Sequence, residues 1–288
     1  MSRALMAGLE LGGTKTVVAI GDRDGNVAEE FRYPTTTPEE TLAIAIDWWR
    51  ERGEVVALGI ASFGPLRLRR DAVDYGVYLT TPKLAWQGFS LLDFFAKNLP
   101  SAQLTIETDV NAALLAELKK GAAQGVNNAL YLTVGTGIGA GVCSEGRLVH
   151  GMLHPEMGHL RVPRCAGDDF AGVCPFHGDC WEGLASGPAI EKRWGMPAHR
   201  LPEDHPAWEM EAYYLAQGLF SANAIFSPEC MILGGGVSQA PRLHERISQH
   251  MRHLSNGYFP DLGALLSPPT LGQQAGIIGA LLLPHYGL

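Results

Sequence analysis

Basic charge is in deficit in this chain: 22 Lys and Arg stand against 30 Asp and Glu, a formal net charge of −8. A protein that grips nucleic acid by neutralising phosphates needs the opposite balance. Charge of either sign is sparse at 18%, below the roughly 25% of average globular chains, while hydrophobic residues make up 46%. Extended disorder is therefore excluded. There are only five cysteines, an odd number, in 288 residues. A chain this long buries a core without staples, so a disulfide framework is not expected and a reducing compartment fits better. No targeting segment is visible, because Met1–Leu9 is short and soon interrupted by Glu10 and Lys15. The charge-free run Gly121–Ser144 holds Gln124, Asn127, Asn128, Thr133, Thr136 and several glycines, which argues against a membrane span. Low-complexity stretches and composition-marked linkers are also missing. What remains is a soluble, cytoplasmic protein of one large or two medium domains, with no nucleic-acid or membrane partner.

Glycine, by contrast, is abundant, with 35 residues, and it clusters at turns. Ala7–Leu11 and Thr16–Ile20 read as strands around Gly12-Gly13-Thr14-Lys15. Leu130–Val134 and Ile138–Cys143 read as strands around Gly135-Thr136-Gly137. Gly13-Thr14 aligns with Gly135-Thr136, a short internal repeat that suggests two related α/β halves. Between and beyond them, Glu39–Arg52, Val110–Ala123, Glu211–Phe226, Arg242–Leu254 and Ala275–Leu283 have helical patterns. Val55–Phe63, Leu104–Thr108 and Met231–Leu233 read as buried strands, and His150–Trp181 as a long irregular segment.

Four constellations could carry chemistry. Each Gly-Thr turn is either an ordinary hairpin turn or a cradle of backbone N–H groups for anionic oxygens, with Lys15 adding charge at the first. Two such turns in repeated halves favour a phosphate clamp. It is not a P-loop, because the Gly-x4-Gly-Lys spacing is absent. Gly234-Gly235-Gly236-Val237-Ser238 follows a strand and precedes a helical pattern, so it is either a plain connection or a place for a nucleotide at a helix N-terminus. Asp109 follows a strand, where α/β folds place ligands, but Asp is also a good helix cap, and locally the cap is the simpler reading. Finally, Cys174, His177 and Cys180 form a C-x2-H-x2-C run preceded by His159. Two thiolates and two imidazoles make a closed tetrahedral shell of the structural zinc kind. Cys165 is a rival ligand, while His150, His154 and the remaining histidines read as surface or ordinary polar residues, with a reservation for His154 beside the site.

Taken together, these motifs resemble the ROK family (repressors, open reading frames and kinases). Gly8–Thr16 resembles its phosphate-1 motif, Glu156-Met157-Gly158-His159 its Glu-x-Gly-His motif, and Cys174–Cys180 with Glu182 its zinc segment. Thr133–Gly141 and Leu233–Ser238 resemble its phosphate-2 and adenosine motifs. Within the family the likeness is to bacterial fructokinases. It rests on Glu10, where glucokinases usually show Asp, on Ser62-Phe63-Gly64-Pro65, and on Thr80–Trp86. It rests also on Thr108, where glucokinases usually carry Asn.

The resemblance implies an actin/hexokinase-like (ribonuclease H-like) α/β fold with two α/β domains around a cleft, taken as 1–110 and 111–288, the C-terminal helix returning to the first. It implies ATP, Mg²⁺, a structural Zn²⁺, a hexose substrate with fructose preferred, and a homodimer. Carried over residue by residue, Gly12, Gly13, Thr14, Lys15, Thr136, Gly137, Gly235 and Gly236 would bind ATP. Asp109 becomes the catalytic base, joined on the sugar by Gly64, Pro65, Glu156, His159 and Glu182. His159, Cys174, His177 and Cys180 would hold the metal. The rival readings are a kinase for mannose, glucose or N-acetylmannosamine, a sugar-responsive repressor, and a catalytically dead sugar sensor. A repressor is disfavoured because the first motif starts at Gly8, and a dead sensor because Lys15, Asp109 and both turns are present.

Overall fold

The computed structural model describes residues 3–286, so the outermost two residues at each end of the expected domains lie outside the described residues. The chain forms two compact units. The first takes residues up to Lys120, Leu148–Pro155 and the stretch from Leu271 onward; the second takes Gly121–Arg147 and Glu156–Thr270. The boundary thus falls after the helix that follows Asp109, ten residues beyond the expected 110. That helix packs on the C-terminal helix, and both belong to the first unit.

In the first unit β1 (Ala4–Leu11) and β2 (Lys15–Gly21) form the expected hairpin. It is extended by β3 (Val27–Pro34), which the sequence reading missed. Helix α1 (Pro38–Arg50) starts where Thr37 accepts the Glu40 N–H, with Pro38 at the first turn. Its buried stripe is Thr41, Leu42, Ala45, Ile46 and Trp49, and the Trp49 indole N–H donates to Ala19 O. β4 (Glu54–Ser62), α2 (Leu91–Asn98), β5 (Gln103–Thr108) and α3 (Asp109–Lys120) complete the run. The sheet order is β3-β2-β1-β4-β5, with β1, β4 and β5 parallel.

The second unit repeats this plan. Its hairpin is β6 (Ala129–Val134) and β7 (Ile138–Ser144), followed by the two-residue β8 (Arg147–Leu148). Helices α4 (Trp181–Ala185), α5 (Gly187–Trp194) and α6 (Ala207–Phe226) then lead to β9 (Cys230–Gly234), α7 (Leu243–Ser255) and β10 (Leu266–Ser267). The order is β10-β9-β6-β7-β8, read from the other edge the same topology as the first sheet. The short repeat in the two Gly-Thr turns is therefore a repeat of the whole five-stranded plan. α8 (Ala275–Leu282), buried along its length, packs on β1, β4 and α3 of the first unit. No helix among the described residues is long and apolar enough to cross a membrane.

Candidate functional site

Strand register decides what emerges together. In the first sheet Leu11 pairs with Ser62, and Ser62 with Thr108. The carboxyl ends of β1, β4 and β5 are level, so the Gly12–Lys15 turn, the Phe63–Leu66 loop and Asp109 all leave the same edge. Parallel α/β sheets place ligands at that edge.

Here Thr108 caps helix α3: its hydroxyl accepts the Asn111 N–H at 3.2 Å. The capping role that local reading gave to Asp109 therefore belongs to its neighbour. Asp109 Oδ1 accepts the adjacent Val110 N–H, at 2.9 Å. Burial pushes the Asp109 carboxyl up to about 6 against the pull of the Val110 N–H and of its own backbone N–H. Glu10, at the end of β1, is pushed up to about 7, first by burial and then by the charge of Asp109, with Lys15 opposing. Its Oε2 is buried without a hydrogen-bond partner. The pair is thus two carboxylates that repel one another in a poorly hydrated place.

Within the turn, the Gly12 N–H donates to Lys15 O, and Thr35 ties it down through its hydroxyl to Gly12 O and its N–H to Thr14 O. Lys83 is a cation the sequence reading quoted but gave no role. Its Cε lies 3.6 Å from where a Cβ on Gly13 would stand, and its Nζ is 5.8 Å from the Phe63 ring centroid. Only the tertiary fold brings it to the turn.

The second unit has its own convergence. Thr133 pairs with Gly234, so the Gly135–Gly137 and Gly234–Gly236 turns leave one sheet edge side by side. Gly235 has φ 91° and a Cβ there would sit 2.3 Å from Val134 O, so only glycine allows this approach. The helix expected over Arg242–Leu254 is present, displaced by one residue at each end. A short 3₁₀ turn, Val237–Gln239, comes first and α7 starts at Leu243. Thr136 and Gly137 lie in a turn closed by the Gly135 N–H to Gly137 O. Glu182, expected on the sugar, accepts the Ile138 N–H at 2.9 Å at the base of that turn.

Glu156, exposed, and His159 flank a 3₁₀ turn over Met157–His159. Gly158 presses on β7: a Cβ there would be 2.0 Å from Ile138 O. His159, Cys174, His177 and Cys180 converge, their ligand atoms all within 4.8 Å of one another. Cys174 Sγ is 3.9 Å from His159 Nδ1 and 3.7 Å from His177 Nδ1, and Cys180 Sγ is 3.6 Å from His159 Nδ1. Sulfur–nitrogen edges of a tetrahedron with bonds of about 2.3 and 2.0 Å are about 3.5 Å long, so the four residues fit one ion. A tight loop holds them, in which Cys174 and Gly178 exchange both backbone hydrogen bonds. Cys165 is not in the cluster; its N–H donates to Tyr214 Oη.

Two α/β units of one topology, each with a Gly-Thr turn at the carboxyl end of its sheet, define an actin/hexokinase-like sugar-kinase fold. The ROK family profile matches residues 6–286, and the chain belongs to that family. It is 40% identical to a fructokinase of Pediococcus pentosaceus, over 99% of each chain, and 40% identical to a fructokinase of Zymomonas mobilis, over 96% of this chain and 94% of that one. A solved ROK family glucokinase from Streptomyces griseus, in complex with glucose and AMPPNP, superposes with a TM-score of 0.80 at 26% identity, covering 98% of this chain and all of that one.

The raised Glu10 value has a measurable consequence. Glu10 takes up a proton on folding between its ordinary 4.5 and about 7, so its contribution to stability is full below about 4.5 and lost as pH rises through about 7. Without nucleotide or magnesium, Glu10→Gln should melt with the wild type at pH 4 and above it at pH 8. Parallel melting curves across that range would contradict the assignment.

Proposed function

We propose that this protein transfers the γ-phosphoryl group of ATP to the 6-hydroxyl of D-fructose. The observation that carries the reading is Asp109: a poorly hydrated carboxylate, relieved of capping by Thr108, on the same sheet edge as the Gly-Gly-Thr-Lys turn. With its affinity for protons raised to about 6, Asp109 is ionised at neutral pH yet a better base than an ordinary aspartate. It accepts the hydroxyl proton as the sugar oxygen attacks phosphorus. Backbone N–H groups of Gly13 and Thr14, with Lys15, bind phosphate oxygens on the turn that Gly12 closes; Thr136, Gly137, Gly235 and Gly236 serve the nucleotide from the second unit. Positioning and charge stabilisation supply most of the rate in such transfers. Mg²⁺, when bound with the nucleotide, would neutralise phosphate charge, and the unpartnered Oε2 of Glu10 is the group suited to hold a water on it.

On the sugar side the reading assigns Gly64, Pro65, Asp109, Glu156 and His159. Glu182 contributes through the turn it braces. The two fructokinase relatives, the Ser62–Pro65 loop and Thr108 favour fructose. Glucose is the second reading, because the structurally similar Streptomyces griseus enzyme is a glucokinase. The metal of the four-residue cluster is read as Zn²⁺ in a structural role, from its two-thiolate, two-imidazole donor set. A cytoplasmic homodimer completes the proposal; the five free cysteines accord with a reducing compartment.

A coupled ATP-consumption assay over a panel of hexoses tests the reading. Fructose should give the highest kcat/KM, and a higher value for glucose or mannose would overturn the substrate while keeping the kinase. Asp109→Asn should lower kcat by about 10²–10⁴, the usual worth of a general base, with the KM for ATP little changed. Since Thr108 still caps α3, its melting temperature should not fall. Activity within about tenfold of wild type would remove Asp109 from the chemistry. Elemental analysis should find one zinc per chain, and Cys174→Ser should lose it; full metal content in that variant would sink the ligand set.

A further inference from the structure

His150 and His154 read as ordinary polar residues in the sequence, but neither is placed as one. Both lie on the strap Leu148–Pro155, the one internal stretch that leaves the second unit's chain run to join the first. His150 Nε2 lies 2.7 Å from Glu107 Oε2. The Glu107 side chain is only 2% exposed. Its other oxygen accepts the Thr108 N–H at 2.7 Å and the Asn111 side-chain amide at 2.9 Å. Glu107 therefore binds the strap on one side and the β5–α3 junction, with Asp109, on the other. His154 is 7% exposed, and its Nε2 accepts the Leu66 N–H at 3.3 Å. Leu66 follows Gly64-Pro65 directly and is fully buried. The loop is held from its other side as well, where the Leu79 N–H donates to Pro65 O.

We propose that His150 and His154 are positioning residues for the sugar, clamping the strap at once to the strand end that carries Asp109 and to the loop that carries Gly64 and Pro65. The clamp works because the two rings play opposite hydrogen-bonding roles. Hydrogen bonding to Glu107 raises the proton affinity of His150, against burial and the charge of Arg70, so its ring donates to a carboxylate. Burial lowers that of His154, with His150 acting the same way and Glu107 opposing, so its ring stays neutral and accepts a backbone N–H. Tyr75, also on this side of Glu107, is held neutral by burial. A protonated His154 could not accept from Leu66, and the buried N–H would lose its partner.

The inference rests on the sugar-side assignment of the proposed function, and its test separates the two. Steady-state kinetics with the best hexose of the panel would compare wild type, His154→Leu and His154→Gln. Leucine fills the space without an acceptor, whereas the glutamine amide oxygen can accept the Leu66 N–H. His154→Leu should raise the hexose KM about tenfold, the effect of one unpaired buried donor, and move the KM for ATP less than about twofold. His154→Gln should recover most of that loss. His150→Ala, at a side chain 32% exposed, should also raise the hexose KM selectively, and it decides the matter if His154→Leu does not fold. Equal hexose KM values in the leucine and glutamine variants would overturn the proposal, as would a rise shared by hexose and ATP or an unaltered KM in His150→Ala. Hexose-induced elevation of Tm gives the same comparison without turnover. A chain that binds a hexose through the clamp but phosphorylates none would thus defeat the kinase reading and leave this one standing.

Discussion

A single hydroxyl sets the character of the first unit's site. By accepting the Asn111 N–H, the Thr108 side chain closes the exposed end of α3. A helix that begins at the end of a strand needs such a group, and an aspartate there would ordinarily be consumed by it. With Thr108 in that role, Asp109 keeps its outer oxygen for other work while burial raises its proton affinity. Glu107, two residues back, is spent instead on the backbone N–H of Thr108 and on Asn111. Glu107 as brace, Thr108 as cap and Asp109 as the carboxylate left over follow from the strand's period of two passing into the helix's first turn.

The rest of that edge depends on register. Because β1, β4 and β5 run parallel and end level, a turn, a loop and a helix start are delivered to one place by three separate stretches of chain. The second unit uses the same plan to set two glycine turns side by side. There the Ile138 backbone is the shared support. Its N–H is taken by Glu182, and its carbonyl is approached so closely by Gly158 that no side chain fits. The segments carrying Glu156, His159 and the Cys/His cluster are in this way fastened to the Gly135–Gly137 turn of their own unit.

Much of this was legible. The hairpins, β4, β9 and α8 follow from apolar runs beside glycine turns, β5, α3 and α6 from their apolar patterning, and the C-x2-H-x2-C part of the cluster from its spacing. β3 escaped because in this edge strand the apolar Ala28 and Phe31 are exposed while the charged Glu30 and Arg32 are half-buried, so its sequence shows no clean alternation. α2 and α5, eight residues each, are too short to establish a period. Arg242, expected as the first residue of α7, adopts φ 59° and stands just outside it as the cap.

By itself the sequence determined the class of fold, the two turns and the C-x2-H-x2-C run, since each is written in neighbouring residues whose local chemistry admits few alternatives. The tertiary structure alone decided between Cys165 and the cluster, moved the domain boundary from 110 to 120, brought Lys83 to the first turn and gave His150 and His154 their partners. Those partners lie far away along the chain, at Glu107 and at the Leu66 N–H. A histidine's proton state and duty are fixed by burial and by the group its ring nitrogen meets, and neither exists until the chain has folded.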